Sequence, residues 1–150
     1  MSETVLALDV GTRRIGVAVS DDRGAMALPL ETVDAEPRGE AVDRIVKLVG
    51  DYQVGDVVVG WPVDMQGREG RAVGRVRAIV EPLEKRLEAA GHDEVEVHRW
   101  DERLTTTEAN RLLDDVDVTR RRRKQAVDQV AACKILEGFL ARRRGEGNTP

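Results

Sequence analysis

The stretch Val5-Leu-Ala-Leu-Asp-Val-Gly-Thr-Arg-Arg-Ile-Gly-Val-Ala-Val-Ser20 constrains the fold more than any other part of this 150-residue chain. Two short apolar runs, Val5 to Leu8 and Ile15 to Val19, are separated by one carboxylate, Asp9, and by the turn residues Gly11 and Thr12. A connection this short joins antiparallel neighbours, because a parallel return takes a dozen or more residues. The stretch is therefore a hairpin. Its first strand is apolar at successive positions, as a central strand covered on both faces is. Asp9 stands at the tip of that strand, where desolvating a carboxylate is costly unless a cation or hydrogen-bond donors compensate it. Two readings of Asp9 stand at this point: a side-chain cap on the Gly-Thr turn, and a functional acid.

The remaining elements follow in order. Ala25 to Val33 reads as a third strand, and Pro29 inside it places that strand at a sheet edge, since proline cannot donate to a ladder. Ala41, Ile45, Leu48, Val49 and Tyr52 have helical spacing, which predicts a helix from Arg38 to about Tyr52. Asp56 to Trp61 is a buried strand that stops at Pro62. The loop Val63 to Gly70 holds Asp64. Val73, Val76, Ile79, Val80, Leu83 and Leu87 predict a long helix, with Pro82 expected to kink it and Gly91 closing it. Glu94 to Trp100 is a further strand, followed by Asp101-Glu102-Arg103. Thr105-Thr-Thr-Glu108 has the form of a capping box for a short helix to about Leu113. The acidic segment Asp114 to Val118 reads as a loop, and Thr119 to about Arg143 as the last helix.

Strands four and five each follow a helix, as parallel strands joined by right-handed crossovers do. The expected architecture is α/β: a mixed five-stranded sheet, antiparallel through the first three strands and parallel among strands one, four and five, with helices on both faces. That order fits a ribonuclease H-like fold. One domain over residues 1–141 is expected, with the polar, glycine-containing stretch 142–150 as a flexible tail.

Ligands of such sheets bind beyond the carboxyl ends of the parallel strands. Those ends carry Asp9, Trp61-Pro62 and Asp101-Glu102. Strand two runs the other way, which removes Asp21 and Asp22 from the site. The last helix adds Asp128, which shares a face with Ala131, Ala132, Ile135 and Phe139. A carboxylate buried there needs a partner cation. The bland alternative, an acid answering the helix dipole, is weakened by its distance from the helix start. Acids converging from two strand ends and one helix repel one another, and divalent cations resolve that repulsion. Mg²⁺ and Mn²⁺ suit all-oxygen ligands, and two such ions can hold both oxygens of an in-line displacement. His92, His98 and Cys133 share no zinc-ligand spacing.

Four segments resemble the YqgF/RuvX family: Asp9-Val-Gly-Thr-Arg-Arg-Ile-Gly-Val-Ala-Val-Ser-Asp21, Val59-Gly-Trp-Pro-Val-Asp-Met-Gln-Gly67, Asp101-Glu-Arg-Leu-Thr-Thr106 and Val127-Asp-Gln-Val-Ala-Ala132. They span nearly the whole chain in family order. The resemblance implies a ribonuclease H-like fold, a cytoplasmic location and metal-dependent phosphodiester hydrolysis. Its substrate would be the 5′ end of pre-16S ribosomal RNA or a Holliday junction. It also implies Asp9, Glu102 and Asp128 as the catalytic, metal-binding acids. Two positions depart from the family: Trp61 where a smaller aliphatic residue is usual, with altered contacts at the cleft floor as the expected result, and Asp64 where asparagine is common, which would add charge near the phosphate.

Between Asp101 and Glu102 strand alternation allows only one acid on the site face. The family pattern favours Glu102, leaving Asp101 to pair with an arginine such as Arg103. Thr12, Asp64 and Asp101 are auxiliary candidates, and Thr105 and Thr106 fit helix capping better than substrate contact. Arg120-Arg-Arg-Arg-Lys124 is the strongest positive run. A solvated first helical turn is its bland reading, yet cations there oppose the macrodipole. Arg121, Arg122, Arg123 and Lys124, joined by Arg13 and Arg14 of the hairpin turn, are therefore expected to grip phosphates without reading sequence.

Composition limits the alternatives. The formal net charge of −4 means that local clustering, not overall charge, would have to attract nucleic acid. A single cysteine rules out an intrachain disulfide and suits a reducing cytoplasm. No leader or membrane-spanning run is apparent. Scarce aromatics argue against a base-stacking platform for single strands. Two other functions compete with a nuclease. Asp9-x-Gly-Thr also resembles the phosphate motif of the sugar-kinase, Hsp70 and actin superfamily, but the chain has length for only one of the two lobes those proteins close around ATP. A catalytically silent factor binding ribosomal RNA through the basic run is the other. Junction resolution would require a twofold homodimer, whereas trimming an RNA end would not.

Overall fold

The computed structural model describes residues 2–104 and 120–147. Its elements are β1 (Val5–Val10), β2 (Arg14–Ser20), β3 (Ala27–Asp34), α1 (Arg38–Asp51), β4 (Asp56–Trp61), α2 (Arg71–Ala89), β5 (Glu96–Asp101), a 3₁₀ turn (Glu102–Leu104) and α3 (Arg120–Gly147). The sheet order is β3-β2-β1-β4-β5. β1 pairs antiparallel with β2 and parallel with β4, and β4 pairs parallel with β5. This is the expected mixed sheet, with β1 in the centre. The short helix and acidic loop anticipated over residues 105–118 lie outside the described residues.

β3 occupies an edge, and Pro29 explains why: it sits opposite Ala18 where the β2–β3 register shifts, at a position whose ladder hydrogen bond it cannot make. A bidentate ion pair from Arg44 of α1 to Glu31, at 2.8 and 2.6 Å, ties this strand to the body. Pro82 lies within α2, yet the helix is not interrupted there. Val80 and Leu83 on either side of it are buried. α3 continues past the Arg143 end expected from spacing to Gly147. Its last turns are held by Arg143 Nη2 on Asp56 Oδ2 at 3.1 Å and by Arg144 on the carbonyl of Ala25 at 3.3 Å.

Alternation along each strand divides the core in two. Leu6, Leu8, Val10, Ile15, Val17, Val57, Val59 and Trp61 face α1 and α2. Val5, Ala7, Ala18, Val58 and Trp100 face α3, where they meet Ala132, Cys133, Ile135, Leu136 and Leu140. The second face is lined with smaller side chains, so α3 lies close against it. Burial pushes the Cys133 thiol up to about 11, which makes it an inert core residue. The same parity rule assigns Asp9 to the α3 face, following Val5 and Ala7. Arg14 and Gly16 join it from β2, Gly60 from β4.

Gly16 marks the closest approach. A Cβ there would lie 2.0 Å from the backbone oxygen of Asp128, so any side chain would force α3 away from β2. Gly16→Ala is expected to destabilise the protein by about 1–3 kcal/mol. Gly74→Ala, in α2 with open space around it, is expected to stabilise by about 0.5–1 kcal/mol. Urea unfolding of the two variants checks both signs.

Candidate active site at the carboxyl ends of the parallel strands

β1, β4 and β5 end side by side, in the register Leu8 with Val59 and Trp61 with Asp101. Asp9 is the last but one residue of β1, and Glu102 follows immediately after β5. Their side chains hydrogen-bond to each other, and Asp128 of α3 is close enough to act on the charge of Asp9. Three acids separated by about ninety and by twenty-six positions in the chain therefore meet at one corner of the sheet. The partner of Asp9 is Glu102 rather than the hairpin turn, which closes without it through Gly11 N–H on the carbonyl of Arg14 at 2.8 Å. The turn-cap reading of Asp9 is not what the structure supports.

Electrostatics follow from this crowding. Burial, then the charge of Asp9 and the hydrogen bond to it, raise Glu102 from 4.5 to about 7. Burial also raises Asp9, opposed by the hydrogen bond from Glu102 and reinforced by the charge of Asp128. Both directions describe a pair that shares a proton, with Glu102 as donor and Asp9 as acceptor. Asp128 has a different solution. Arg14 Nε donates to its Oδ2 at 2.7 Å, the partner cation that a carboxylate on this helix face requires. An all-carboxylate donor set whose members must borrow a proton and an arginine to coexist suits a hard divalent cation.

Gly60 lies inside β4, and glycine within a strand signals a close approach. Its Cβ would stand 2.3 Å from Glu102 Oε1 and 2.8 Å from Ile135 Cδ1. Gly60 is thus the floor over which Glu102 reaches Asp9. Trp61, expected at that floor, lies on the opposite face. It is 5% exposed, with Arg99 stacked at 4.3 Å, Arg77 at 5.6 Å and its Nε1 donating to Glu69 at 3.0 Å. Alternation makes the correction necessary, since Gly60 and Trp61 cannot share a face.

The other candidates separate as follows. Asp101 pairs with Arg103, whose Nε reaches both carboxylate oxygens at 3.0 and 2.9 Å. That guanidinium and the Arg103 backbone N–H hold Asp101 below the usual carboxylate range. Asp64 accepts from Gln66 N–H, Arg68 N–H and Arg68 Nε at 2.8–2.9 Å. It organises its own loop, and Arg68 neutralises the charge it was expected to bring toward a phosphate. Arg103 fastens that loop to β5 by donating to the carbonyl of Met65 at 3.4 Å. Thr12 and Arg13 are exposed in the hairpin turn. The side chains of Arg121, Arg122, Arg123 and Lys124, and Thr105 and Thr106 entirely, lie outside the described residues. Asp21 caps the far β2–β3 turn, accepting from Ala25 and Met26 N–H at 2.7 and 3.1 Å, away from the site as topology requires.

Asp56, Glu96 and His98 form a second group that could in principle hold an ion, at the opposite ends of β4 and β5. His98 Nε2 lies 2.9 Å from Asp56 and 3.7 Å from Glu96. Arg143 already neutralises Asp56, so this cluster is accounted for as an ion network that seats the end of α3.

A mixed five-stranded sheet of this order, with carboxylates gathered where its parallel strands end, defines a ribonuclease H-like protein. Solved structures agree on the fold. Thermus thermophilus RuvC matches with a TM-score of 0.56 and 18% identity, over 94% of this chain and 96% of that one. T. thermophilus RuvC in complex with a Holliday junction substrate gives 0.54 and 18%, over 93% and 95%. The chain belongs to the RuvX family, whose profile, described as "RuvX: Holliday junction resolvase", matches residues 3–142. A Bacillus cereus (strain AH187) protein named "Putative pre-16S rRNA nuclease" is 44% identical over 141 residues, 93% of this chain and 98% of the relative. A Bacillus thuringiensis (strain Al Hakam) protein of the same name is 44% identical over 138 residues, 91% and 96%.

Glu102 holds its proton more tightly in the folded chain than its ordinary value of 4.5 allows, at about 7. The folded state therefore carries the extra proton between those values, and stability falls as pH rises through that window. In EDTA, wild-type protein is expected to lose stability from about pH 4.5 to 7, and Glu102→Gln to show a flatter profile. Urea midpoints measured across that range decide it; parallel profiles would contradict the shared-proton arrangement.

Proposed function

We propose that this chain is a metal-dependent nuclease that hydrolyses a phosphodiester bond of structured nucleic acid, acting on the 5′ end of pre-16S ribosomal RNA in the cytoplasm. The observation that carries this reading is the meeting of Asp9, Glu102 and Asp128, with Glu102 raised to about 7, at the strand ends where such sheets bind ligands. The three carboxylates are the proposed ligands of Mg²⁺ or Mn²⁺, two ions in the fullest arrangement. When bound, those ions polarise the scissile phosphate and lower the pKa of the attacking water. Asp9, on the rigid central strand, sets the position of the site. Glu102 gives up its proton to become a ligand, so loading the site is favoured as pH rises through about 7. Arg13 and Arg14, with Arg121, Arg122, Arg123 and Lys124 at the start of α3, are the proposed phosphate contacts.

Action on a Holliday junction is the second reading, supported by the family description. It requires two such sites related by a twofold axis, hence a homodimer, whereas trimming an RNA end is within reach of a monomer. A cytoplasmic place of action fits both substrates, and no described helix is long and apolar enough to cross a membrane.

Purified protein with Mn²⁺ is expected to cleave precursor 16S RNA in a side-by-side assay with a four-way DNA junction. Asp9→Asn, Glu102→Gln and Asp128→Asn should each lower the rate by more than the roughly 10–100-fold typical of residues behind a metal ligand. Rates untouched by these substitutions would remove the site. An intact RNA beside a resolved junction would transfer the activity to DNA.

A further inference from the structure

Arg14 and Asp128 form a contact that a nuclease site of three acids does not obviously need. The guanidinium Nε is 2.7 Å from Asp128 Oδ2, and the two side chains are only 31% and 23% exposed. Both ends of the pair are fixed. Asp128 sits on the helical segment that rests on Gly16, whose missing Cβ leaves room for the Asp128 carbonyl. Arg14 lies two residues before Gly16 on the same strand and therefore on the same face. The pair is thus set by the β2–α3 packing rather than by a chance surface encounter. It directs a carboxylate oxygen of the third acid at an arginine, and a divalent ion among the acids would compete for that oxygen and repel the guanidinium.

We propose that Arg14 is the resident counter-cation of the acid site: it holds Asp128 in the absence of a divalent ion, releases it when an ion binds, and then offers its guanidinium to a substrate phosphate. The inference rests on the proposed metal-binding role of Asp9, Glu102 and Asp128. Arginine suits both duties, because its planar fork matches a carboxylate and a phosphate equally well. Two consequences follow. Arg14 weakens metal binding by competing for a ligand. It also makes nucleic-acid binding stronger in the presence of metal than the neutralised acids alone would, because the same cation changes partner.

The test compares wild type with Arg14→Gln, which retains a hydrogen-bond donor for Asp128 but no charge, and with Arg14→Lys, which retains the charge. Circular dichroism establishes that each is folded. In calorimetric titration with Mn²⁺ alone, Arg14→Gln is expected to bind the ion about 3–5-fold more tightly than wild type, the range set by a partly exposed ion pair. Arg14→Lys should stay within about twofold of wild type. Equal or weaker binding by Arg14→Gln overturns the competition and makes Arg14 a support for Asp128 instead. Fluorescence anisotropy with a labelled phosphorothioate RNA duplex reads the second duty. With Mn²⁺ the salt slope of wild type should exceed that of Arg14→Gln by about one contact, and without Mn²⁺ the slopes should agree. Equal slopes in Mn²⁺ overturn the phosphate role. Mn²⁺ binding by wild type that is indifferent to Arg14 defeats this inference alone, whereas wild type that binds no Mn²⁺ defeats the metal site and this inference with it.

Discussion

The close seating of α3 on the sheet at Gly16 is the constraint on which the rest depends. Asp128 comes within reach of Asp9 at the end of β1 only because the backbone of α3 presses against β2 where no side chain intervenes. Ala7, Ala18 and Ala132 continue the same small-residue contact deeper in the core. This packing supplies the free energy that holds like charges together. Hydrophobic burial along α3 is non-directional and large, while repulsion between partly solvated carboxylates is smaller and is further reduced by the proton on Glu102 and by Arg14. The fold can thus assemble a corner that local electrostatics alone would disperse.

Two further features serve the same corner from outside it. Gly60 lowers the floor so that Glu102 can turn back over β4 toward Asp9. Asp101, the neighbour of Glu102, is drawn the other way by Arg103, which also fastens the loop after β4 through the carbonyl of Met65. Adjacent acids with opposite fates are a consequence of strand alternation: one side chain reaches the α3 face and the other does not. On the far face, Trp61 is enclosed by Arg77, Arg99 and Glu69. Its bulk therefore supports the ends of β4 and β5 from behind without entering the site.

Most of the architecture was legible in the sequence because its signals are short-range. The hairpin needs only the few residues between Val10 and Arg14, Pro29 marks an edge within its own strand, and α1 and α2 declare themselves by apolar spacing. The convergence of Asp9, Glu102 and Asp128 was legible for a different reason. Strand direction puts Asp9 and the Asp101-Glu102 pair at one end of the sheet, and the small-residue face of α3 supplies Asp128. The choice of Glu102 over Asp101 came from the family resemblance. What was not legible depends on which face a residue takes and on what lies across the gap. Trp61 looked like a floor residue because it ends a parallel strand, but parity with Gly60 turns it away. Arg14 was expected to meet phosphates together with Arg13 of the same turn; the partner it has lies 114 positions later in the chain. Gly16 and Gly60 carry no chemistry of their own, and their importance appears only with the atoms that fill the space a Cβ would need.

A crystal grown with Mn²⁺ and measured at the manganese absorption edge tests the central claim most directly. The account predicts anomalous density among the carboxylates of Asp9, Glu102 and Asp128, with metal–oxygen distances of about 2.0–2.2 Å and Arg14 turned away from Asp128. Anomalous density at Asp56, Glu96 and His98 with the three-acid corner empty, or none at either place, would contradict it.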